Sequence, residues 1–393
     1  MKIACVSVYD ATTKKGWSVR GYYQAQSLKN QGVEIEYFPL SRNLLFSLLS
    51  IVKYGYYKLQ NQCYVNGRDR FLLRYYSREL SKRLSKADVD LVFSPIGGPY
   101  WQQEQVAYLE CDQPIVFWTD ASLKGFMNAF EFNPLTPHHM RLCKESVRDG
   151  LANERSLLSR CSLAIYTSDW AAQSAVKNYS ISPAKVKVVP FGPYLERNIT
   201  LNDVSRLVNS RSPHKCKLLF VGTDWHMKGG DMALNVAQEL NRKGLRTTLT
   251  VVGCDPIVSG PLPSFVRPLG YINTSTREGS DVISKLYSES HFLIMPSLCE
   301  TFGVVFCEAS SFGVPSLATN VAGIPTAIKD GLNGKTFPLD ANAEDYCDYV
   351  LNLFSNFSDY KALALSSFNQ YQSRLNWSVA GQTVKTLMMQ LLK

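Results

Sequence analysis

Short apolar runs that alternate with longer helical patterns are the feature that most constrains the fold of this chain. In the first half the runs are Lys2–Val8, Val33–Leu40, Asp90–Pro95, Pro114–Asp120, Leu163–Ser168 and Val186–Gly192. In the second half they are Lys217–Gly222, Thr248–Gly253, Val266–Ile272, Phe292–Ser297, Pro315–Asn320 and Gly334–Leu339. Near-continuous apolar strands separated by helices are typical of parallel sheets covered on both faces. The sequence therefore predicts an α/β fold with doubly wound parallel sheets.

The runs form two groups of six, which predicts two Rossmann-like domains rather than one large sheet. A chain of 393 residues also exceeds what one hydrophobic core ordinarily serves. The break falls in the polar stretch Tyr194–Lys217, which has no strand pattern. We expect domains at 1–193 and 194–365, a helical segment at 366–393, and a ligand cleft where the carboxyl ends of the two sets of strands face each other.

Composition excludes several other classes of protein. Hydrophobic residues make up 45% of the chain and charged residues 19%, which is typical of globular domains. No apolar run is long enough to span a membrane, and Met1–Val8 lacks the features of a signal peptide. The ten cysteines include no C-x-x-C pair, which argues against a zinc site and favours free thiols in a reducing cytosol. We therefore expect a cytoplasmic protein.

The positive charge is concentrated in one segment, residues 42–86. The chain has a net charge of +9, and this segment holds ten basic residues against Asp69 and Glu79, so ten minus two leaves +8. The cations alternate with Tyr, Phe and Leu, a pattern that suits a peripheral contact with anionic membrane. A solvated helical face is the alternative interpretation. No nucleic-acid-binding motif accompanies the charge, so no nucleic-acid partner is expected.

The strongest local motif is the segment from Glu300 to Glu308, which follows an apolar run and leads into a helix. A helix start at Phe302-Gly303-Val304 offers free backbone N–H groups that attract a phosphate or a sugar oxygen. Acids eight residues apart in a helix lie about two turns apart on one face. That spacing suits one acid on a sugar hydroxyl and the other on a ribose diol. A helix cap and a solvated acid remain the alternative.

A second motif lies at residues 220–231, where an apolar run ends in a turn containing Lys228 and the pair Gly229-Gly230 that opens a helix. Glycines let the backbone approach a phosphate closely, and a lysine adds a point charge. An ordinary strand-to-helix turn with a surface lysine is the alternative. Gly16, in a polar loop after the first run, occupies a usual phosphate-facing position.

Three further features concern the acceptor and metals. Asp120 ends the fourth run and is predicted to point into the cleft, with a helix N-cap as the alternative. His138 and His139 are candidates to orient the acceptor, although loop residues are the more ordinary interpretation. Asp88-Val-Asp90 is the sole D-x-D pattern, and its position between a helix and a strand favours a turn over a metal site. No metal site is therefore predicted.

Together these segments resemble glycosyltransferase family 4, the retaining group 1 enzymes with the GT-B architecture, over essentially the whole chain. The resemblance rests on Glu300 and Glu308 in an E-x7-E pattern, on Lys228-Gly229, and on the runs Met295-Pro-Ser and Gly313-Val-Pro315 to Pro325. Ser168-Asp-Trp170 and Val189-Pro-Phe-Gly192 also match familiar segments. The family usually has arginine where this chain has Thr223, and often histidine where it offers Asp120.

The resemblance implies roles for particular residues. Lys228 and the Gly16 loop would hold a diphosphate, Glu308 a ribose, and Glu300 with the backbone of Phe302–Val304 the transferred sugar. The stretch after Gly253 and around Leu269–Gly270 would contact the base. The implied donor site comprises Gly16, Gly222, Thr223, Lys228, Gly253, Leu269, Glu300, Phe302, Gly303, Val304 and Glu308, and the implied catalytic residues are Glu300, Lys228 and Asp120.

The resemblance also implies an activity. The chain would move a hexose-type sugar from a UDP-sugar or GDP-sugar to a glycan or lipid-linked acceptor, without metal or cofactor and with retention of configuration, in cell-surface polysaccharide or glycolipid synthesis. The N-terminal domain would bind the acceptor, the C-terminal domain would bind the donor, and the last helix would cross back to the N-terminal domain. A nucleotide-sugar epimerase, a phosphorylase and a non-catalytic subunit that binds a partner or glycan remain alternatives.

Overall fold

The protein is described by a computed structural model at residues 1–7, 10–14, 18–39, 44–95, 103–130, 142–195 and 197–393. The chain divides into two compact units. Unit 1 comprises Met1–Val189 together with Ala380–Lys393, and unit 2 comprises Pro190–Val379. The structure therefore places the change of unit between Val189 and Pro190.

Unit 1 is built on a parallel sheet whose strand order is β2-β1-β3-β4-β5-β6. Its strands are β1 (Lys2–Ser7), β2 (Glu34–Pro39), β3 (Leu91–Pro95), β4 (Ile115–Thr119), β5 (Leu163–Tyr166) and β6 (Val186–Val188). Each strand lies within or at the edge of one of the six apolar runs of the first half, so those six predictions are confirmed. The buried strands β3 and β4 form the centre of the core, where helices cover their side chains.

The helices of unit 1 connect these strands. They are α1 (Ser18–Lys29), α2 (Leu44–Leu59), α3 (Arg70–Leu84), α4 (Leu123–Phe130), α5 (Lys144–Arg160) and α6 (Asp169–Tyr179). The last helix, α14 (Trp377–Leu391), begins in unit 2 and belongs to unit 1 from Ala380 onward. It packs closely on α1, because a Cβ added at Gly381 would lie 2.3 Å from the carbonyl oxygen of Ser27, and Lys385 donates to the carbonyl of Gln31 at 2.7 Å.

Unit 2 repeats the architecture with the strand order β12-β11-β10-β7-β8-β9. Its strands are β7 (Cys216–Val221), β8 (Thr247–Val252), β9 (Val266–Pro268), β10 (Phe292–Met295), β11 (Ser316–Thr319) and β12 (Gly334–Phe337). The pairs between these strands are parallel, and the six apolar runs of the second half are likewise confirmed.

The helices of unit 2 are α7 (Leu201–Ser210), α8 (Gly230–Arg242), α9 (Arg277–Glu289), α10 (Val304–Ser311), α11 (Ile324–Ala327), α12 (Ala343–Ser355) and α13 (Phe357–Arg374). Reciprocal capping boxes start α7 at Thr200 and α12 at Asn342. The segment 366–393 that was predicted as one helical unit therefore contains the end of α13 and all of α14. A bend at Leu375–Asn376 separates them.

The strand order of unit 2 fixes where a ligand can bind. The chain builds outward from β7 through β8 and β9 on one side, then returns to place β10 on the other side of β7. In open α/β sheets such a reversal leaves a crevice at the carboxyl ends of the two neighbouring strands. The loops after β7 and β10 therefore form the expected ligand position in this unit.

Among the described helices, none is long and apolar enough to cross a bilayer. All ten cysteines carry free thiols.

One acid in the core of unit 1 has an unusually high pKa. Glu154, on α5, is buried, and both of its carboxylate oxygens accept from the backbone N–H of Leu123 at the start of α4 at 2.9 Å. Tyr179 donates to the same carboxylate. Burial raises the pKa of Glu154 to about 7, although these hydrogen bonds oppose the rise. The carboxyl group thus joins α4, α5 and α6.

Glu154→Gln is expected to flatten the pH dependence of unfolding. The pKa of Glu154 is higher in the folded chain than in the unfolded chain, so its contribution to stability is complete below about pH 4.5 and is lost as pH rises through about 7. The loss in the wild type is on the order of 3 kcal/mol. Thermal unfolding followed by circular dichroism from pH 5 to 8.5 measures the slope.

The control is Glu34→Gln, which changes an exposed acid of the same unit. This variant should retain the wild-type slope. An unchanged slope in Glu154→Gln would contradict the assignment.

Candidate functional site

Two loops of unit 2 meet at the reversal point of the sheet. The loop 222–229 follows β7 and the loop 296–303 follows β10. The N–H of Leu298 donates to the carbonyl of Met227 at 3.0 Å, and a Cβ added at Gly229 would lie 2.0 Å from the carbonyl oxygen of Pro296. Gly229 also has φ of +76°, a conformation that glycine adopts without strain. Glycine is therefore required there for the loops to come this close.

Lys228 and Glu300 bridge the two loops. The ammonium of Lys228 lies 2.5 Å from Oε2 of Glu300, and the two side chains are only 23% and 15% exposed. The backbone holds the acid in place, because its Oε1 accepts from the N–H of Thr301 at 3.1 Å and its carbonyl accepts from Gly323 at 2.9 Å. A cation and an anion are thus both held at the rim of one crevice, where an anionic ligand can engage the lysine and a hydroxyl group the glutamate.

Glycines directly after β7 and β8 allow the backbone and Lys228 to pack closely at this edge of the sheet. A Cβ added at Gly222 would lie 2.9 Å from Cγ of Lys228, and one added at Gly253 would lie 2.5 Å from the carbonyl of Gly222. Gly253, with φ of +99°, donates to the carbonyl of Gly270 at 2.8 Å, and Leu269 donates to Val251 at 2.9 Å. These residues lie at the carboxyl ends of β7, β8 and β9, along one edge of the sheet. Thr223, the first residue after Gly222, is exposed.

Helix α10 starts at this edge without a side-chain cap. Gly303 is its N-cap, has φ of +83°, and would place an added Cβ 2.4 Å from the ring of Phe306 and 3.3 Å from Cγ of Glu300. Phe302 is buried edge-on against Phe191 and anchors the turn. The first amides of the helix, beginning at Val304, have no earlier turn to bond to, which suits them to an anion or a sugar oxygen.

The predicted helical spacing of the two glutamates is wrong. Glu300 lies four residues before Val304, outside the helix, because the positive φ of Gly303 breaks the chain direction between them. Only Glu308 is helical. The two acids therefore occupy different environments, one paired with Lys228 and the other buried below the turn.

Glu308 is only 9% exposed. Its Oε1 accepts from the backbone N–H of Tyr194 at 3.3 Å, and its Oε2 accepts from the hydroxyl of Tyr287 at 3.0 Å. Burial raises the pKa of Glu308 to about 7, and the two hydrogen bonds lower it only in part. A buried acid with so high a pKa is a candidate for a functional position.

The sequence did not indicate the hydrogen bonds to Asp231 that hold the loop 222–229. Asp231, in the first turn of α8, accepts from the indole N–H of Trp225 at 2.7 Å and lies 2.9 Å from Nδ1 of His226. Trp225 is buried beneath Gly230, where an added Cβ would lie 2.1 Å from the indole. The adjacent Gly229-Gly230 pair was a signal for close packing, but its partner was not evident from the sequence.

Asp120 lies in unit 1, directly after β4, and is buried. Its Oδ2 accepts from the guanidinium of Arg20 on α1 at 3.1 Å, a pairing that the sequence did not indicate. The predicted positions Gly16, His138 and His139 lie outside the described residues. Asp90 accepts from the N–H of Lys2 at 2.7 Å and donates to the carbonyl of the same residue at 2.8 Å, which ties it to the start of β1.

The model of the family described as "Glycosyl transferases group 1" matches residues 215–356. The chain is 29% identical over 198 residues to D-inositol 3-phosphate glycosyltransferase from Actinosynnema mirum, which covers 46% of this chain and 46% of the relative. The same protein from Rhodococcus opacus is 26% identical over 283 residues, covering 67% of this chain and 60% of the relative. The matches thus span less than two thirds of these relatives.

Solved structures are similar over the full length. Sucrose-phosphate synthase from Thermosynechococcus elongatus superposes with a TM-score of 0.66 at 16% identity, covering 99% of this chain and 98% of its own. HepE from Anabaena in complex with UDP gives 0.62 at 13%, covering 99% and 100%. WaaG, a glycosyltransferase involved in lipopolysaccharide biosynthesis, gives 0.58 at 17%, covering 98% and 99%. With the two six-stranded sheets, these similarities confirm the predicted GT-B fold.

Gly229→Ala is expected to separate the two loops of the crevice. The added methyl group would collide with the carbonyl of Pro296 in addition to straining a positive φ, so a loss of about 1–3 kcal/mol in unfolding free energy is expected. Denaturant unfolding measures the change. Gly244→Ala is the matched control, because Gly244 has φ of +91° but open space around its Cβ position. Equal losses in the two variants would contradict a role for the close approach.

Proposed function

We propose, from the match of residues 215–356 to the group 1 glycosyltransferase model, that the chain transfers a hexose-type sugar from a nucleoside diphosphate sugar. The acceptor is a glycan or a lipid-linked glycan, and the anomeric configuration is retained. In this proposal unit 2 binds the donor and unit 1 the acceptor, as GT-B transferases are built. Asp120 is the unit 1 residue proposed to orient the acceptor.

The observation that carries the proposal is the bridge between Lys228 and Glu300 beside the uncapped start of α10. Transfer separates a sugar from a diphosphate, and negative charge develops on the leaving phosphate oxygens. A protein accelerates such a step by fixed donors at the place where the charge appears. The Lys228 ammonium and the first amides of α10 supply those donors, while Glu300 accepts from a sugar hydroxyl.

The proposed transfer needs no side chain as a general base. The bond between the anomeric carbon and the β-phosphate oxygen breaks, and the acceptor oxygen bonds to that carbon on the face that the phosphate leaves. The acceptor's proton moves to the departing phosphate oxygen. Lys228 then offsets part of the negative charge of the nucleoside diphosphate product, and the proposed step is written without a metal ion.

The nucleobase of the donor is proposed from similarity alone. HepE, which shares the fold, has been solved with UDP and with UDP and glucose, so UDP-sugars are the first donors to test, followed by GDP-sugars. The proposed base position is the edge formed by Gly253 and Leu269, and the proposed ribose ligand is Glu308. Thr223 holds the place of an arginine found in the family, so Lys228 bears more of the phosphate charge in this chain.

Lys228→Ala and Glu308→Ala are expected to slow nucleotide release strongly, because each removes a group proposed to hold the donor. We predict that one class of nucleotide sugar yields free UDP, GDP or ADP, that EDTA leaves the rate unchanged, and that Lys228→Ala lowers kcat on the order of 10²- to 10³-fold. Lys217→Ala removes a surface lysine of the same unit that pairs with Glu289, and it should retain the wild-type rate. Coupled detection of the released nucleotide is the measurement.

If no nucleotide sugar releases its nucleotide and no nucleotide raises the melting temperature, the catalytic proposal is rejected. The chain would then be a non-catalytic subunit that binds a partner or glycan. An inverted product, read from its anomeric proton coupling, would reject retention alone. Loss of activity in EDTA would reject metal independence alone.

A second surface of unit 1 supports a membrane-proximal acceptor. Along residues 48–59 of helix α2, most of the large apolar side chains lie in solvent. The exposed ones are Leu48, Leu49, Ile51, Val52, Tyr54, Tyr56 and Leu59, with Leu59 at 91%. Polar contacts instead hold the helix to its unit. Lys53 lies 2.6 Å from Asp69 and 2.8 Å from Glu145, and Tyr57 donates to Glu145 at 3.0 Å. An exposed apolar patch of this kind marks an interaction surface.

The exposed positive charge near this patch favours an anionic lipid surface as the proposed partner. Of the basic residues in 42–86, Lys53 and Arg68 point inward, so the predicted excess is not all available to a partner. Exposed cations remain at Lys58, Arg70, Arg74, Arg78, Lys82, Arg83 and Lys86. Apolar side chains that enter the headgroup region and cations that contact anionic lipid act together in peripheral binding. The chain would then lie on the cytoplasmic face of a membrane.

Replacing Ile51, Val52 and Leu59 with serine is expected to abolish vesicle binding while leaving fold and nucleotide binding intact, because these side chains lie outside the core. Co-sedimentation with vesicles of phosphatidylcholine, with and without phosphatidylglycerol, measures the fraction of protein bound. Val282→Ser and Leu339→Ser, which change exposed apolar residues of unit 2, should bind as the wild type does. Equal binding by the triple variant and wild type would reject α2 as the contact.

A further inference from the structure

We propose that Tyr287 is a positioning residue that holds the Glu308 carboxylate ready to accept both hydroxyls of a nucleotide ribose. The inference rests on the proposed function, since it concerns the same donor site. It adds a residue from α9 that the motifs of the sequence did not identify. Tyr287 is assigned no contact with the ligand and acts through Glu308.

The geometry places the tyrosine behind the acid. Its side chain is fully buried, its hydroxyl donates to Oε2 of Glu308 at 3.0 Å, and its ring stacks on Phe312 at 5.7 Å between centroids. Phe312 caps the end of α10, the helix that carries Glu308. The tyrosine therefore contacts both the acid and the end of its helix, and its rigid ring leaves the hydroxyl little freedom to turn away.

The acceptor capacity of the carboxylate then matches a vicinal diol. An ionised carboxylate offers about four lone-pair positions. The protein occupies one on each oxygen, through the N–H of Tyr194 at Oε1 and the hydroxyl of Tyr287 at Oε2. One position is left on each oxygen, and the two hydroxyls of a ribose can each donate to one of them. The protein bonds fix the plane of the carboxylate before the ligand arrives.

The match requires the acid to be ionised, since a protonated carboxyl has an O–H that opposes an incoming donor. Burial works against ionisation and raises the pKa of Glu308 to about 7. Burial also raises the pKa of Tyr287 well above its usual range, so its hydroxyl stays protonated and donates. Tyr287 is therefore the side chain that favours the anionic form of Glu308.

The other titratable groups nearby do not replace it. The neighbouring thiol of Cys307 has its pKa raised by burial, remains neutral and donates to the carbonyl of Phe191. Arg374, on α13, acts electrostatically on Cys307, but its guanidinium is engaged by the carbonyls of Thr326 and Ala327 at 2.7 Å and 2.9 Å. Among the described residues, the Glu308 carboxylate accepts hydrogen bonds from Tyr287 and from the backbone of Tyr194.

Tyr287→Phe is expected to move the pH profile of nucleotide binding to higher pH. The variant keeps the ring and its packing and removes one donor. Dissociation constants for UDP, GDP and ADP are measured by calorimetry from pH 5.5 to 9. We expect about tenfold weaker binding at pH 7, from one lost hydrogen bond to a charged group, and partial recovery at pH 9 as Glu308 ionises.

Tyr360→Phe is the matched control, because Tyr360 is also fully buried in unit 2 and donates its hydroxyl at 3.1 Å to the carbonyl of His291. It should lower stability without moving the pH profile. A general packing effect would weaken binding equally at every pH in both variants, and that outcome would overturn the proposal.

A double-mutant cycle separates this inference from the function on which it rests. In a Glu308→Gln background, Tyr287→Phe should cause no further pH-dependent loss, because no ionisable carboxyl remains. If the wild type binds nucleotide, Glu308→Gln weakens it and Tyr287→Phe leaves the profile unmoved, the proposed function stands and the role of Tyr287 is rejected. If neither the wild type nor any variant binds a nucleotide, both are rejected.

Discussion

The reversal of strand order beside β7 is the constraint on which the candidate site depends. From β7 the chain builds β8 and β9 in one direction, and it later returns to place β10 on the opposite side. The loops that follow β7 and β10 consequently lie side by side, and each leads into its own helix, α8 or α10. A crevice at the carboxyl ends follows from this topology before any side chain is considered.

Close backbone approach then turns the crevice into a site. The positive φ of Gly229 and Gly303 lets one loop rest on the other and lets α10 begin at the rim. Only with the loops in this position does Lys228 reach Glu300 at 2.5 Å. The pair is partly withdrawn from water, which strengthens the attraction between its two charges. Both side chains keep some exposure, so a ligand that carries an anion and hydroxyl groups can reach them.

The same helix start produces two acids with different properties. Glu300 is paired with a lysine, whereas Glu308 is buried and held by a tyrosine hydroxyl and a backbone N–H. The first is suited to a sugar hydroxyl at the reacting end of a donor. The second is suited to a diol at the nucleoside end, provided that it is ionised. In the proposed function, one short segment would thereby contact both ends of a nucleotide sugar.

Much of the fold was predictable because it depends on local patterns. Each of the twelve apolar runs contains or adjoins a strand, since residues buried on both faces of a parallel sheet leave a continuous signal. Strand ends were less predictable. The run Val186–Gly192 continues beyond β6, which ends at Val188, because Val189 and Phe191 are buried without continuing the strand.

The site was predictable in its parts but not in its contacts. Lys228 and Glu300 were both assigned to the carboxyl edge, and the sheet order brings them together. The expected helical relation between Glu300 and Glu308 failed because the helix begins only at Val304, after a positive φ at Gly303 that no periodicity reveals. The hydroxyl of Tyr287 and the carboxylate of Asp231 likewise find their partners only through tertiary packing, and a single sequence carries no signal for either.

Hydrogen–deuterium exchange with and without saturating UDP, GDP or ADP tests most directly whether this crevice binds a nucleoside diphosphate. The account predicts that at least one nucleotide slows exchange in peptides that cover residues 222–230 and 300–309, while peptides from α12 exchange as before. Protection by none of the three, or protection confined to unit 1, would contradict the account, because the lysine, the helix start and the buried acid would then have no common ligand.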